Sequence, residues 1–175
     1  MKQSFFALSL LVILAFPNAH PAWAESLAAK GLARLQDETP SCPDAVDFVV
    51  CADPQPGSLT GTPKVFLEMI DEWNLLKPDL VMCVGDMIMG GPASEVGAMW
   101  DEFLGRMDTL DMPLFPTAGN HDVNDEPEVL RIYEERVAPF NYTVARGDIL
   151  FVVLNTEEPG DPDGFSPAKR DWWLV

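Results

Sequence analysis

Positive charge is scarce in this chain. Eleven Lys and Arg stand against 28 Asp and Glu, giving a formal charge of −17 and a pI near 4.2. Such a surface repels a phosphate backbone, which argues against a non-specific nucleic-acid binder. It argues equally against docking on anionic lipid. An anionic small substrate stays open, because a bound cation inverts the local field. Histidine is scarcer still, with only His20 and His121. Cysteine is limited to Cys42, Cys51 and Cys83, with no Cys-x-x-Cys and no Cys/His spacing for zinc. Cys51 and Cys83 fall in expected strands and read as buried thiols. No Walker loop, no Gly-x-Gly-x-x-Gly and no Gly-x-Ser-x-Gly elbow is present, which removes the common nucleotide-binding and serine-hydrolase readings.

Long apolar runs are also missing, apart from one. Phe5 to Phe16 is apolar except for Ser9, about twelve residues, and too short for a comfortable membrane span. Lys2 precedes it, Pro17 and Asn18 end it, and Ala22-Trp23-Ala24 is a small-x-small cleavage site. This is the pattern of an export signal. The expectation is a signal peptide over 1–24, a mature chain from Glu25, and a periplasmic or extracellular location. No membrane contact is expected after cleavage.

The rest has globular composition, with 47% hydrophobic and 22% charged residues. Residues 25–45 read as a short helix from Leu27 to Leu35 and a polar linker. Residues 46–175 read as one domain. Asp47 to Ala52, Leu80 to Val84 and Pro113 to Thr117 are short apolar runs with the character of buried strands. Between them, 64–76 places Val65, Phe66, Met69, Ile70, Trp73 and Leu76 on one helical face. A second helix follows Ser94 as N-cap and carries Val96, Trp100, Phe103, Leu104 and Met107. Asp125 and Pro127 open a helix over 128–137. Tyr142 to Arg146 and Ile149 to Asn155 flank Gly147-Asp148 as a hairpin. An acidic loop fills 157–165, and Ser166-Pro167 opens a last helix. This alternation predicts an α/β layer fold with a largely parallel sheet. Ligands in such sheets bind at the carboxyl ends of the strands.

Three expected strands end in metal-binding residue types. The first runs into Asp53-Pro54-Gln55, the second into Gly85-Asp86, the third into Gly119-Asn120-His121-Asp122. The intervals are 33 residues from Asp53 to Asp86 and 34 from Asp86 to Asn120, each about one βαβ unit. Alone, a Gly-Asp or an Asp-Pro is usually a turn, and a histidine such as His121 is usually a satisfied surface residue. Together they put oxygen donors and one histidine on one sheet edge, which suits divalent ions. Two ions about 3.5–4 Å apart can clamp an in-line displacement at phosphorus.

The order Asp-x-Gln, Gly-Asp, Gly-Asn-His-Asp resembles the calcineurin-like metallophosphoesterase superfamily. Val81 to Asp86 and Thr117 to Asp122 are similar to its second and third motifs. Asp53-Pro54-Gln55 is similar to its first motif in members with Gln in place of His. The resemblance runs from about Asp47 to Val175. It implies a four-layer α-β-β-α sandwich, of which this chain holds the N-terminal part. It implies metal-dependent hydrolysis of a phosphate mono- or diester, a small-molecule substrate, by a hydroxide activated at two divalent ions (Fe, Mn, Zn or Mg). Asp86 would bridge the ions, Asp53 and Gln55 would serve the first, and Asn120 the second. His121 would sit over the leaving-group oxygen as general acid, and Asp122 would orient its ring.

Two departures stand out. Gln55 offers a neutral amide oxygen where most members have imidazole. The family's downstream histidine ligands have no counterpart here, since His121 is the only histidine beyond His20. The second metal site is therefore incomplete in this chain, and the expectation is a fragment with weak or no activity of its own. The alternative is a non-catalytic binding protein of the same ancestry.

Overall fold

The computed structural model describes residues 23–38, 45–56 and 61–157, together with Pro167. Residues 1–22 of the expected export signal over 1–24, the linker at 39–44, part of the first Gly/Pro loop and the acidic loop beyond Glu157 lie outside the described residues. So does the last expected helix, apart from Pro167, which is helical.

Helix α1 spans Leu27–Asp37. Ser26 caps it, its Oγ accepting from the Ala29 N–H at 3.2 Å. Strand β1 (Phe48–Cys51), helix α2 (Lys64–Leu76), strand β2 (Leu80–Cys83), helix α3 (Ala93–Met107) and strand β3 (Leu114–Pro116) follow as two βαβ steps. Helix α4 (Pro127–Arg136) leads to the antiparallel hairpin of β4 (Tyr142–Arg146) and β5 (Ile149–Val153). The first sheet is parallel, in the order β1-β2-β3, and the hairpin forms a second sheet. These elements form a mixed α/β fold with one parallel sheet and one antiparallel pair.

Apolar spacing accounts for the helices. On α3, Val96, Trp100, Phe103 and Met107 are buried, as their three- and four-residue steps require. Trp100 lies edge-on to Phe103 and to Tyr133 of α4, with centroids 5.9 and 5.8 Å apart. Each such side chain contributes roughly 1.5–3 kcal/mol by leaving water. Pro127 occupies the first turn of α4, where its missing N–H costs no helical bond.

Three expectations need correction. Ser94 is not the cap of α3, because the helix already begins at Ala93 behind Pro92 and has no side-chain cap. The buried stripe of α2 is narrower than expected, being Phe66, Ile70 and Trp73, while Val65 and Leu76 are exposed. Strand β1 is not buried on both faces. Among the described residues it lies at the edge of the sheet, with Phe48 and Val50 exposed and Cys51 buried.

Cys51 and Cys83 are free, buried and directly aligned across β1 and β2. Their hydrogen bond, with burial, pushes the Cys83 thiol well above its ordinary range.

The opposite ends of the strands are tied by one buried cation. Arg146 of β4 pairs with Asp79, just before β2, at 2.9 Å. Its Nη1 also donates to the Leu35 and Glu38 carbonyls at the end of α1, at 3.1 and 2.8 Å. Asp79 accepts in turn from the Asp47 N–H at 3.0 Å. Among the described residues, no helix is long and apolar enough to cross a membrane.

Candidate metal centre

Strands β1 and β2 each run within three residues into a sharp turn. Asp53 and Asp86 both adopt left-handed backbone, at φ 55° and 56°. Asp is one of the few side chains that tolerate this region, and the turn lifts each carboxylate out of its strand line. The turns are bonded to one another. The Asp53 N–H donates to the Gly85 carbonyl and the Gln55 N–H to the Asp86 carbonyl, both at 3.1 Å. The Thr117 N–H donates to the Cys83 carbonyl at 2.8 Å, joining the end of β3 to β2.

Asp86 is the hub of this edge. Its Oδ1 accepts from the His121 backbone N–H at 3.0 Å. Its own N–H donates to Asp122 Oδ2 at 2.8 Å. Gly119 makes the approach possible, since a Cβ there would stand 2.2 Å from Asp86 Oδ1. Only glycine fits such a contact.

The structure thus brings Asp53, Gln55, Asp86, Asn120, His121 and Asp122 to one edge, as the sequence predicts. Asp53 and Asn120 are exposed, while Gln55, Asp86 and His121 are half-buried. Among the described residues, no group of three or more His, Cys, Asp or Glu side chains is gathered around a metal position. The donors here are instead two carboxylates and two amides. Gln55 Oε1 is buried and has no hydrogen-bond partner among the described residues. A buried acceptor without a donor is costly, and a cation would satisfy it. With Asp53 and Asp86 on the same sheet edge, the set suits an oxygen-loving divalent ion.

Asp122 corrects one expectation. It does not orient the His121 ring. It is fully buried, and both its oxygens are spent on backbone N–H groups. Oδ2 accepts from Asp86 and Gly119 at 2.8 and 2.9 Å, and Oδ1 from Met87 and Ile88 at 2.8 and 3.2 Å. The ring of His121 is held elsewhere, its Nδ1 lying 2.8 Å from the Met89 carbonyl oxygen. Sequence reasoning missed this contact, because a backbone carbonyl leaves no signature in side-chain identity. The left-handed turns were within reach of it, since Asp in the turn that follows a strand is one of the signals for such backbone.

Burial pushes the Asp122 carboxyl up to about 7 against the pull of the N–H groups from Gly119, Met87 and Ile88. An unfolded chain returns it to its ordinary value near 3.8. Between those values the folded state holds a proton that the unfolded state has released, so stability falls as pH rises through this window. One proton contributes at most about 1.4 kcal/mol per pH unit. The thermal midpoint of the chain in EDTA is expected to drop from about pH 4.5 to about pH 7 on this account, and Asp122→Asn should flatten that slope. An unchanged slope would remove Asp122 as its source.

The comparisons bear on the family and the fold. The model of the calcineurin-like phosphoesterase family matches residues 46–170, and the chain belongs to that family. Phosphoester hydrolysis is the family's chemistry. In three dimensions the chain is similar to a purple acid phosphatase from yellow lupin (Lupinus luteus) seeds, with a TM-score of 0.54 and 16% identity. That likeness covers 77% of this chain and spans 28% of the lupin chain. A search of curated protein sequences finds no match.

Proposed function

We propose that this chain belongs to an exported enzyme that hydrolyses a phosphate mono- or diester at the edge where β1, β2 and β3 end. The observation that carries the reading is Asp86, whose carboxylate accepts from the His121 backbone N–H while its own carbonyl accepts from the Gln55 N–H, so that one residue ties the ends of all three strands. Asp53, Gln55, Asp86 and Asn120 would hold divalent ions, with Asp86 shared, Asp53 and Gln55 on the first and Asn120 on the second. When bound, such ions polarise phosphoryl oxygens and make water a nucleophile near neutral pH.

The protein's own groups do the rest. His121 stands over the leaving-group oxygen and donates a proton or hydrogen bond to it. Asp122 positions the site by fixing the backbone of Asp86 and Gly119. The family acts on small phosphate esters, and a small phosphate ester is the substrate proposed here. A second ion would draw on histidines that this sequence does not hold, so turnover by the 175-residue chain is expected to be weak. That same histidine count favours the second reading, a non-catalytic relative that binds an ion without turning over an ester.

The test follows aryl phosphate hydrolysis and Mn²⁺ affinity side by side in the wild type, Asp86→Ala and His121→Ala. The weak Mn²⁺-dependent turnover is expected to be lost in Asp86→Ala, with Mn²⁺ affinity lowered by at least about tenfold. His121→Ala should lower turnover by about 10²-fold or more and leave Mn²⁺ affinity nearly unchanged. A His121→Ala variant stripped of its ion would overturn the role given to His121. Ion binding with no turnover in the wild type would favour the non-catalytic reading.

A further inference from the structure

The loop after β2 does more than carry Asp86. A carbonyl oxygen can only accept, so the short contact from the Met89 carbonyl to the His121 ring puts the ring proton on Nδ1. In the neutral ring Nε2 then keeps its lone pair and is the nitrogen left for a ligand. The loop is clamped to the histidine segment at several points. Met87 and Ile88 donate their N–H groups to Asp122, as described above. Asn124 Nδ2 donates to the Gly91 carbonyl at 2.9 Å. Between them, Gly90 runs against the histidine backbone at φ 72°, where a Cβ would lie 2.3 Å from the His121 carbonyl oxygen.

We propose that the Met89 carbonyl and Gly90 are positioning residues that hold the His121 ring through its Nδ1–H and so leave Nε2 as the nitrogen that, once protonated, donates to the ester oxygen. The inference rests on the reading of His121 as the group over the leaving-group oxygen, and it deepens that reading. A working histidine is often oriented by a carboxylate, which also favours the charged ring. Here the neighbouring carboxylate is occupied by four backbone donors, and a neutral carbonyl takes its place. A neutral acceptor fixes the tautomer and adds no negative charge beside the ring. His121 therefore meets a ligand as an Nε2 acceptor when neutral and as an Nε2 donor only when protonated.

Long-range ¹H–¹⁵N spectra of the full chain, labelled at histidine, test this directly. The chain holds two histidines, and loss of one ring pattern in His121→Asn assigns the other to His20. In the neutral form, where the spectrum shows a single ring proton, the His121 ring should show the Nδ1–H pattern. Met89→Ala should keep it, because the acceptor is backbone. Gly90→Ala should lose it, because the added methyl pushes the loop off the histidine. An Nε2–H pattern in the wild type overturns the proposal, as does a folded Gly90→Ala chain that retains Nδ1–H. If Gly90→Ala fails to fold, the wild-type and Met89→Ala spectra decide alone. The spectra need no turnover, so a wrong tautomer sinks the positioning claim and leaves the phosphoesterase reading to its own assay.

Discussion

Asp122→Ala is expected to destabilise the chain by about 4 kcal/mol or more, enough to unfold much of it near neutral pH. The cause is specific. The carboxylate is the acceptor for the N–H groups of Asp86, Met87, Ile88 and Gly119. Each buried donor left without a partner costs about 1–3 kcal/mol. Alanine strands all four at once, and methyl-sized packing cannot replace them. Asp122→Asn keeps one acceptor oxygen and should fall between the wild type and Asp122→Ala. Urea unfolding followed by tryptophan fluorescence measures the series. A loss below about 1 kcal/mol in Asp122→Ala would mean that these backbone groups find other partners, and the role given to Asp122 would be wrong.

Arg146→Ala is expected to cost about 3–5 kcal/mol, the usual effect of removing one partner of a buried ion pair. Arg146 and Asp79 are both nearly inaccessible, with side chains 6% and 1% exposed. Alanine would leave the Asp79 carboxylate buried without its cation. It would also free the Leu35 and Glu38 carbonyls that end α1. The double variant Asp79→Asn/Arg146→Met should recover much of the loss, because it removes the buried carboxylate charge together with its Arg146 partner. Denaturant midpoints for the single and double variants check this. A double variant no better than Arg146→Ala would place the cost in the carbonyl contacts rather than in the stranded charge.

These two sites show what the sequence made legible and what it hid. The α/β order was readable because each apolar run had the length of a strand and each helix had a three- and four-residue stripe, as on α3. The site edge was readable because parallel strands end on the same side, so Asp53, Asp86 and Asn120 had to converge once the strands were placed. Side-chain partners across the fold were not readable. Nothing in the local sequence ties Arg146 to Asp79, which lies 67 residues away. Asp122 misled for a related reason. An acid beside a histidine suggests a pair, but neighbours in a tight turn point different ways, and this one turns inward to cap backbone. The exposure of Phe48 and Val50 was hidden too, because an apolar run reads the same in an edge strand as in a buried one.

The most direct measurement is a Mn²⁺ titration of the full chain, followed by the paramagnetic signal of the free ion, with Asp86→Ala alongside. If the ends of β1, β2 and β3 form a cation site, the wild type binds Mn²⁺ saturably. Asp86→Ala then binds it at least about tenfold to a hundredfold more weakly. Equal binding by the two chains, or none by the wild type, would contradict the site.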